Sequence, residues 1–115
     1  MNALKTLLVL LMLGLTSLSF AGTGSGTINQ IYVHSPNGAY SSSTQGLVFF
    51  TTAQHINLPG CSGIQWAFSL DTVRGRMWYA LLLSAKAQGK SVTVYGDGTC
   101  GDWSDRERPY YLLLE

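Results

Sequence analysis

Five residues within nine positions carry side chains that a sugar site uses: Tyr32, His34, Ser35, Asn37 and Tyr40. An aromatic ring covers the apolar face of a pyranose. Hydroxyl, imidazole and amide groups then satisfy its OH groups. Ser41-Ser42-Ser43 follows directly and adds three more hydroxyls. The same composition also serves a merely soluble loop, with Tyr32 as a core or rim aromatic. At the level of sequence both readings stand.

Other chemistries have less support. Trp103 lies among Asp102, Asp105 and Glu107 on a Gly-rich segment, and clustered carboxylates are hard oxygen ligands suited to calcium. The spacing is not that of an EF-hand loop, and Arg106 and Arg108 interleave with the acids, which favours an ion-pair network. His34 and His55 stand at no zinc-ligand spacing from Cys61 or Cys100, and there is no C-x-x-C. No metal and no cofactor is therefore expected. His34 and His55 are available as bases and many Ser as nucleophiles. The chain has no G-x-S-x-G, no H-E-x-x-H and no paired carboxylates in an apolar setting. A non-enzymatic protein is expected.

Met1 to Ala21 has the layout of a secretory signal peptide. Lys5 precedes the apolar run Leu7–Leu15, and Ser19-Phe20-Ala21 supplies small residues where a signal peptidase reads. The apolar run is too short to span a bilayer, which takes about 20 residues. Gly22 rather than Cys follows Ala21, so a lipid anchor is not indicated. The expectation is a leader over 1–21, a single domain over 22–115, a secreted or periplasmic location, and no membrane span after cleavage. In an oxidising compartment the lone pair Cys61 and Cys100 is most simply one disulfide. Beyond Lys5 the cations Arg74, Arg76, Lys86, Lys90, Arg106 and Arg108 balance Asp71, Asp97, Asp102, Asp105, Glu107 and Glu115. Without a basic excess no nucleic-acid partner is expected. An uncharged or amphipathic ligand, or a protein, suits such a surface.

The elements that must position these residues follow from periodicity. Gly22 to Gly26 reads as a flexible lead-in. Thr27–His34 alternates as a strand, with Ile28, Gln30, Tyr32 and His34 on one face. Ser35-Pro36-Asn37-Gly38 is a turn, and Leu47–Ala53 and Ile64–Leu70 are strands. Asp71 or Thr72 can cap a helix over Val73–Gln88, ended by Gly89. Met77, Trp78, Leu81, Leu82 and Ala85 form its expected core face, Gly75 weakens its first turn, and Tyr79, Leu83 and Ala87 lie opposite. Lys90–Tyr95 and Pro109–Leu114 complete the set. The order β-β-β-α-β-β in a mainly β chain with one α-helix fits a small five-stranded barrel of OB type with one disulfide. A small α+β sandwich is the alternative. The Tyr79 and Leu83 stripe, pointing away from the core, is a candidate oligomer interface.

The stretch RGRMWYALLLSAKAQGKSVTVYGDGTC resembles a phrase of small secreted bacterial proteins, in which a Tyr-Ala-x-Leu-Leu helix leads through Gly-Lys to a Val-x-Val strand ending near a Cys. These in turn resemble the binding subunit of subtilase cytotoxin and its typhoid- and pertussis-toxin relatives. The resemblance implies an OB barrel, a ring of subunits and cell-surface glycans as ligands. Tyr32-x-x-Ser35 is a loose echo of the Tyr and Ser hydroxyls of such sites. A single disulfide departs from the toxin subunits, which often carry more. Two functions are thus expected in competition: a glycan-binding, oligomeric subunit of toxin type, or a stand-alone periplasmic or secreted interaction or inhibitor protein with a protein partner.

Overall fold

The computed structural model describes residues 21–56 and 60–115. Apart from Ala21, the expected leader lies outside the described residues. Strands β1 (Thr23–His34), β2 (Leu47–Ile56) and β3 (Trp66–Ser69) precede helix α1 (Val73–Gln88). Strands β4 (Ser91–Gly96) and β5 (Pro109–Leu114) follow it. One antiparallel sheet holds all five strands in the order β3-β2-β1-β4-β5. The element order is the expected one. The sheet is open, with β3 and β5 at its edges. A single parallel bridge, Trp66 with Glu107, links the β3 edge to the segment before β5, and Ala67 N–H donates to the Glu107 carbonyl at 3.0 Å.

The expected lead-in at Gly22–Gly26 is corrected: it is the first part of β1 from Thr23 on. Thr23 to Thr27 pair with Tyr95 to Ser91 of β4. Glycines weaken a strand locally, but here they permit close approach. A Cβ on Gly24 would stand 2.8 Å from Thr52 Oγ1 and 2.9 Å from Trp66 Nε1. Register irregularities flank Ile28 in the ladder with β2. Such an extra residue re-aims the side chains beyond it. Ile28 and Ile31 therefore both serve the main core, while Tyr32 packs on the opposite face. This corrects the expectation that Ile28 shares a face with Tyr32.

The first half of strand β2 is buried on both faces. Val48 and Phe50 join Trp66, Phe68, Leu82, Ala85, Val92 and Val94 in the main core, and Leu47 and Phe49 join Ala67 in a second cluster. The helix begins and ends as expected. Thr72 Oγ1 accepts from Gly75 N–H at 2.9 Å, and Gly89 closes it at φ 64°. Gly75 is buried against the Ser69 carbonyl, where a side chain has no room, so it anchors the first turn rather than loosening it. Met77 is 67% exposed and leaves the expected core face. Tyr79, expected on the far side, packs partly against the core with Trp78 and Leu81. Apolar residues point in nearly every direction around this helix, so periodicity alone could not select the buried arc. Leu83 is 44% exposed and Ala87 is exposed, as expected.

Cys61 and Cys100 are bonded, with Cα atoms 5.7 Å apart. The bridge ties the loop before β3 to the loop after β4. Among the described residues no helix is long and apolar enough to cross a membrane.

Candidate functional site: an aromatic array on the outer face of the sheet

The sheet face opposite the helix carries a continuous run of rings. Tyr32 stacks on Phe49 with centroids 5.2 Å apart and planes 1° from parallel. Phe49 meets Trp103 edge-to-face at 5.0 Å, and Trp103 stacks on Tyr40 at 5.1 Å. His34 sits against both Trp103 (5.1 Å) and Phe49 (5.7 Å). Phe49 is buried at the base, whereas Tyr40 at the rim is 52% exposed.

Each ring is placed by its element. Tyr32 and His34 alternate along the end of β1, and Phe49 lies opposite Tyr32 in the register with β2. Tyr40 closes the turn that begins at Asn37. Asn37 Oδ1 accepts from Ala39 N–H at 3.1 Å, and the Asn37 carbonyl accepts from Tyr40 and Ser41 N–H. The Tyr40 carbonyl accepts from Ser104 N–H at 3.0 Å, so the two loops that supply Tyr40 and Trp103 are tied together. The Trp103 loop is anchored from beneath. One Asp102 oxygen accepts from Ser69 N–H at 2.8 Å and the other from Arg108 Nη1 at 3.0 Å, while Arg108 also pairs with Asp97.

Polar groups line one side of the array. Gln65 Nε2 donates to Tyr32 Oη and to Gln30 Oε1, both at 3.1 Å, and Arg106 Nε donates to Gln65 Oε1 at 3.2 Å. Arg106 also pairs with Asp105 at 2.5 Å. Of the sequence candidates, Tyr32, His34 and Tyr40 thus meet in one place. Ser35 is exposed beside them, its carbonyl 2.6 Å from His34 Nδ1. Asn37 has its side-chain oxygen engaged in the turn. Residue type and spacing do not mark Phe49, Gln65 and Arg106 as site residues, and they group Trp103 with the acids around it instead. The alternation of Leu47-Val48-Phe49-Phe50 was the available signal for Phe49.

The Ser-rich loop is structural rather than open. Ser43 is buried, and its hydroxyl donates to the Gly46 carbonyl at 2.8 Å. The Asp71 carboxylate caps this loop, accepting from Thr44 N–H at 2.9 Å and Gln45 N–H at 2.7 Å. These N–H donors hold the Asp71 carboxyl below the usual carboxylate range.

Asp102, Asp105 and Glu107 do not converge on a common point. The first two pair with Arg108 and Arg106, and Glu107 accepts from Gly22 N–H at 2.7 Å. No cluster of three or more metal-ligating side chains occurs among the described residues. His55 stacks flat on Trp66 at 4.3 Å, with Nδ1 at 2.5 Å from the Ile64 carbonyl. Burial lowers its pKa, against the opposing effect of that carbonyl. A cleft of about 230 Å³ borders it, lined by Gly24, Ser25, Gln54 and Tyr95 among others, apart from the aromatic array. Arranged this way, the array can stack on a flat apolar ligand face and offer hydrogen bonds from one edge. No family model, no curated protein and no solved structure matches the chain, so no known relative assigns a ligand to this face.

Proposed function

We propose that the chain is exported, cleaved after Ala21, and acts as a secreted or periplasmic non-enzymatic binding domain. Its ligand is an oligosaccharide held on the Tyr32, His34, Tyr40 and Trp103 array, in the manner of the toxin binding subunits that its helix phrase resembles. The carrying observation is the stacked Tyr40 and Trp103 pair at the rim of an array whose Tyr32 end carries the Gln30, Gln65 and Arg106 donors and acceptors. A sugar ring demands this combination of an apolar platform and adjacent polar groups. Screening on a broad glycan panel, followed by titration of Trp fluorescence, is expected to find a saturable ligand. Tyr40→Ala is expected to weaken that ligand by about tenfold or more, as loss of an exposed anchor does. A blank panel, or full affinity in Tyr40→Ala, would refute the reading.

The second reading, a protein partner, draws on a different surface. Tyr95 and Tyr111 stack at 4.7 Å on β4 and β5, and Tyr110 and Leu113 are exposed on the same edge strand. A homo-oligomer is proposed through the helix, and with Tyr79 partly covered within its own chain the contact centres on Leu83. Sedimentation is expected to show an oligomer for the unaltered protein and dissociation for Leu83→Glu. A monomer at tens of micromolar would sink that proposal.

A further inference from the structure

We propose that cleavage after Ala21 turns an existing contact of Glu107 into an ion pair: the new α-ammonium of Gly22 faces that carboxylate. The inference rests on the processing site proposed above. Glu107 is 1% exposed, and Gly22 is buried beside it. The Gly22 nitrogen lies 2.7 Å from Glu107 Oε2. Its position is pinned, because Gly96 N–H donates to the Gly22 carbonyl at 2.9 Å at the end of β4. The carboxylate is packed between two glycines. A Cβ on Gly22 or on Gly96 would collide with its carboxyl group, so the closest approach of backbone to charge is built into both positions.

In the precursor the Gly22 nitrogen is a neutral amide donor. Hydrolysis adds water across the Ala21–Gly22 bond. The hydroxyl goes to the Ala21 carbonyl carbon and a proton to the Gly22 nitrogen, which at neutral pH takes a further proton and becomes an ammonium. The same 2.7 Å contact then joins opposite full charges in a water-poor site, and Coulomb attraction is added to a hydrogen bond that the carboxylate already accepts. Processing therefore strengthens the fold at this contact. The mature domain is more stable than any form in which Gly22 is acylated, and the precursor is the easier form to keep unfolded for export.

Three proteins test this: one beginning at a free Gly22, one beginning at N-acetylated Gly22, and one extended to begin at Ala21. The free Gly22 form is expected to unfold at a midpoint about 5 °C or more above the other two. In a Glu107→Gln background the gap is expected to close. Equal midpoints in the unaltered background overturn the pairing. Should Glu107→Gln fail to fold, amine acylation decides it: the free Gly22 amine is expected to react with an active ester at least about tenfold more slowly than the amine of the Ala21 form, and equal rates overturn the pairing. Sequencing the exported protein is a separate arm. Gly22 as first residue is expected, and another residue refutes the processing site while leaving the pairing to be judged by the other arms.

Discussion

Trp66→Ala is expected to cost about 3–5 kcal/mol, the range for truncating a large aromatic in a packed core. Trp66 has no solvent exposure and is the largest fully buried side chain. It packs along Phe50 at 6.4 Å, stacks flat with His55 at 4.3 Å, and lies against the bare backbone of Gly24. It also sits where β3 bridges to Glu107, so its loss opens a cavity at the point that connects the two sheet edges. Domains of this size are stable by about 5–15 kcal/mol in total, and the variant should stand close to the unfolding threshold. Urea denaturation followed by circular dichroism measures this without depending on the lost fluorophore. Trp66→Phe keeps most of the packing and should retain more stability than Trp66→Ala. A loss below about 1 kcal/mol for the alanine variant would mean that the site collapses around the gap.

Removing the disulfide is expected to be nearly as damaging. Cys61 and Cys100 are 39 residues apart, and closing a loop of that length stabilises the fold by roughly 4 kcal/mol in the chain-entropy account. The double change Cys61→Ser with Cys100→Ser is expected to lower the unfolding midpoint accordingly, with calorimetry under non-reducing conditions as the check. A second consequence separates this bridge from a bystander. Cys100 lies three residues before Trp103 in the same loop, so the bridge helps to hold the rim of the aromatic array. Amide exchange in the Trp103 loop should accelerate in the serine variant more than exchange in α1. Equal acceleration in both would show a global effect with no local anchoring.

Much of the architecture is written in short-range patterns. Helix α1 is legible because its signals are local: Thr72 can cap a free N–H, Gly89 can turn left-handed, and sixteen helix-compatible residues lie between. Strand β5 reads correctly because a Pro at its start suits a first position. The disulfide is legible from a lone pair of cysteines behind a leader-like segment. Tyr32, His34 and Tyr40 stand out by residue type and proximity along the chain.

What tertiary structure decided has one physical cause: contacts between distant segments depend on which edges pair and in what register, and local propensity is silent on both. The glycine stretch before Thr27 looks too flexible for a strand, yet pairing with β4 and the need for close approach to Trp66 make it one. An irregularity in β1 sends Ile28 and Tyr32 to opposite faces, against strict alternation. The helix, apolar nearly all round, takes its buried arc from the sheet, which covers Tyr79 and leaves Met77 exposed. Trp103 completes the array because Asp102 and the Tyr40 carbonyl fasten its loop over β1 and β2. Glu107, in sequence one acid among charged neighbours, is buried because the start of β1 and the end of β4 bring two glycines against it.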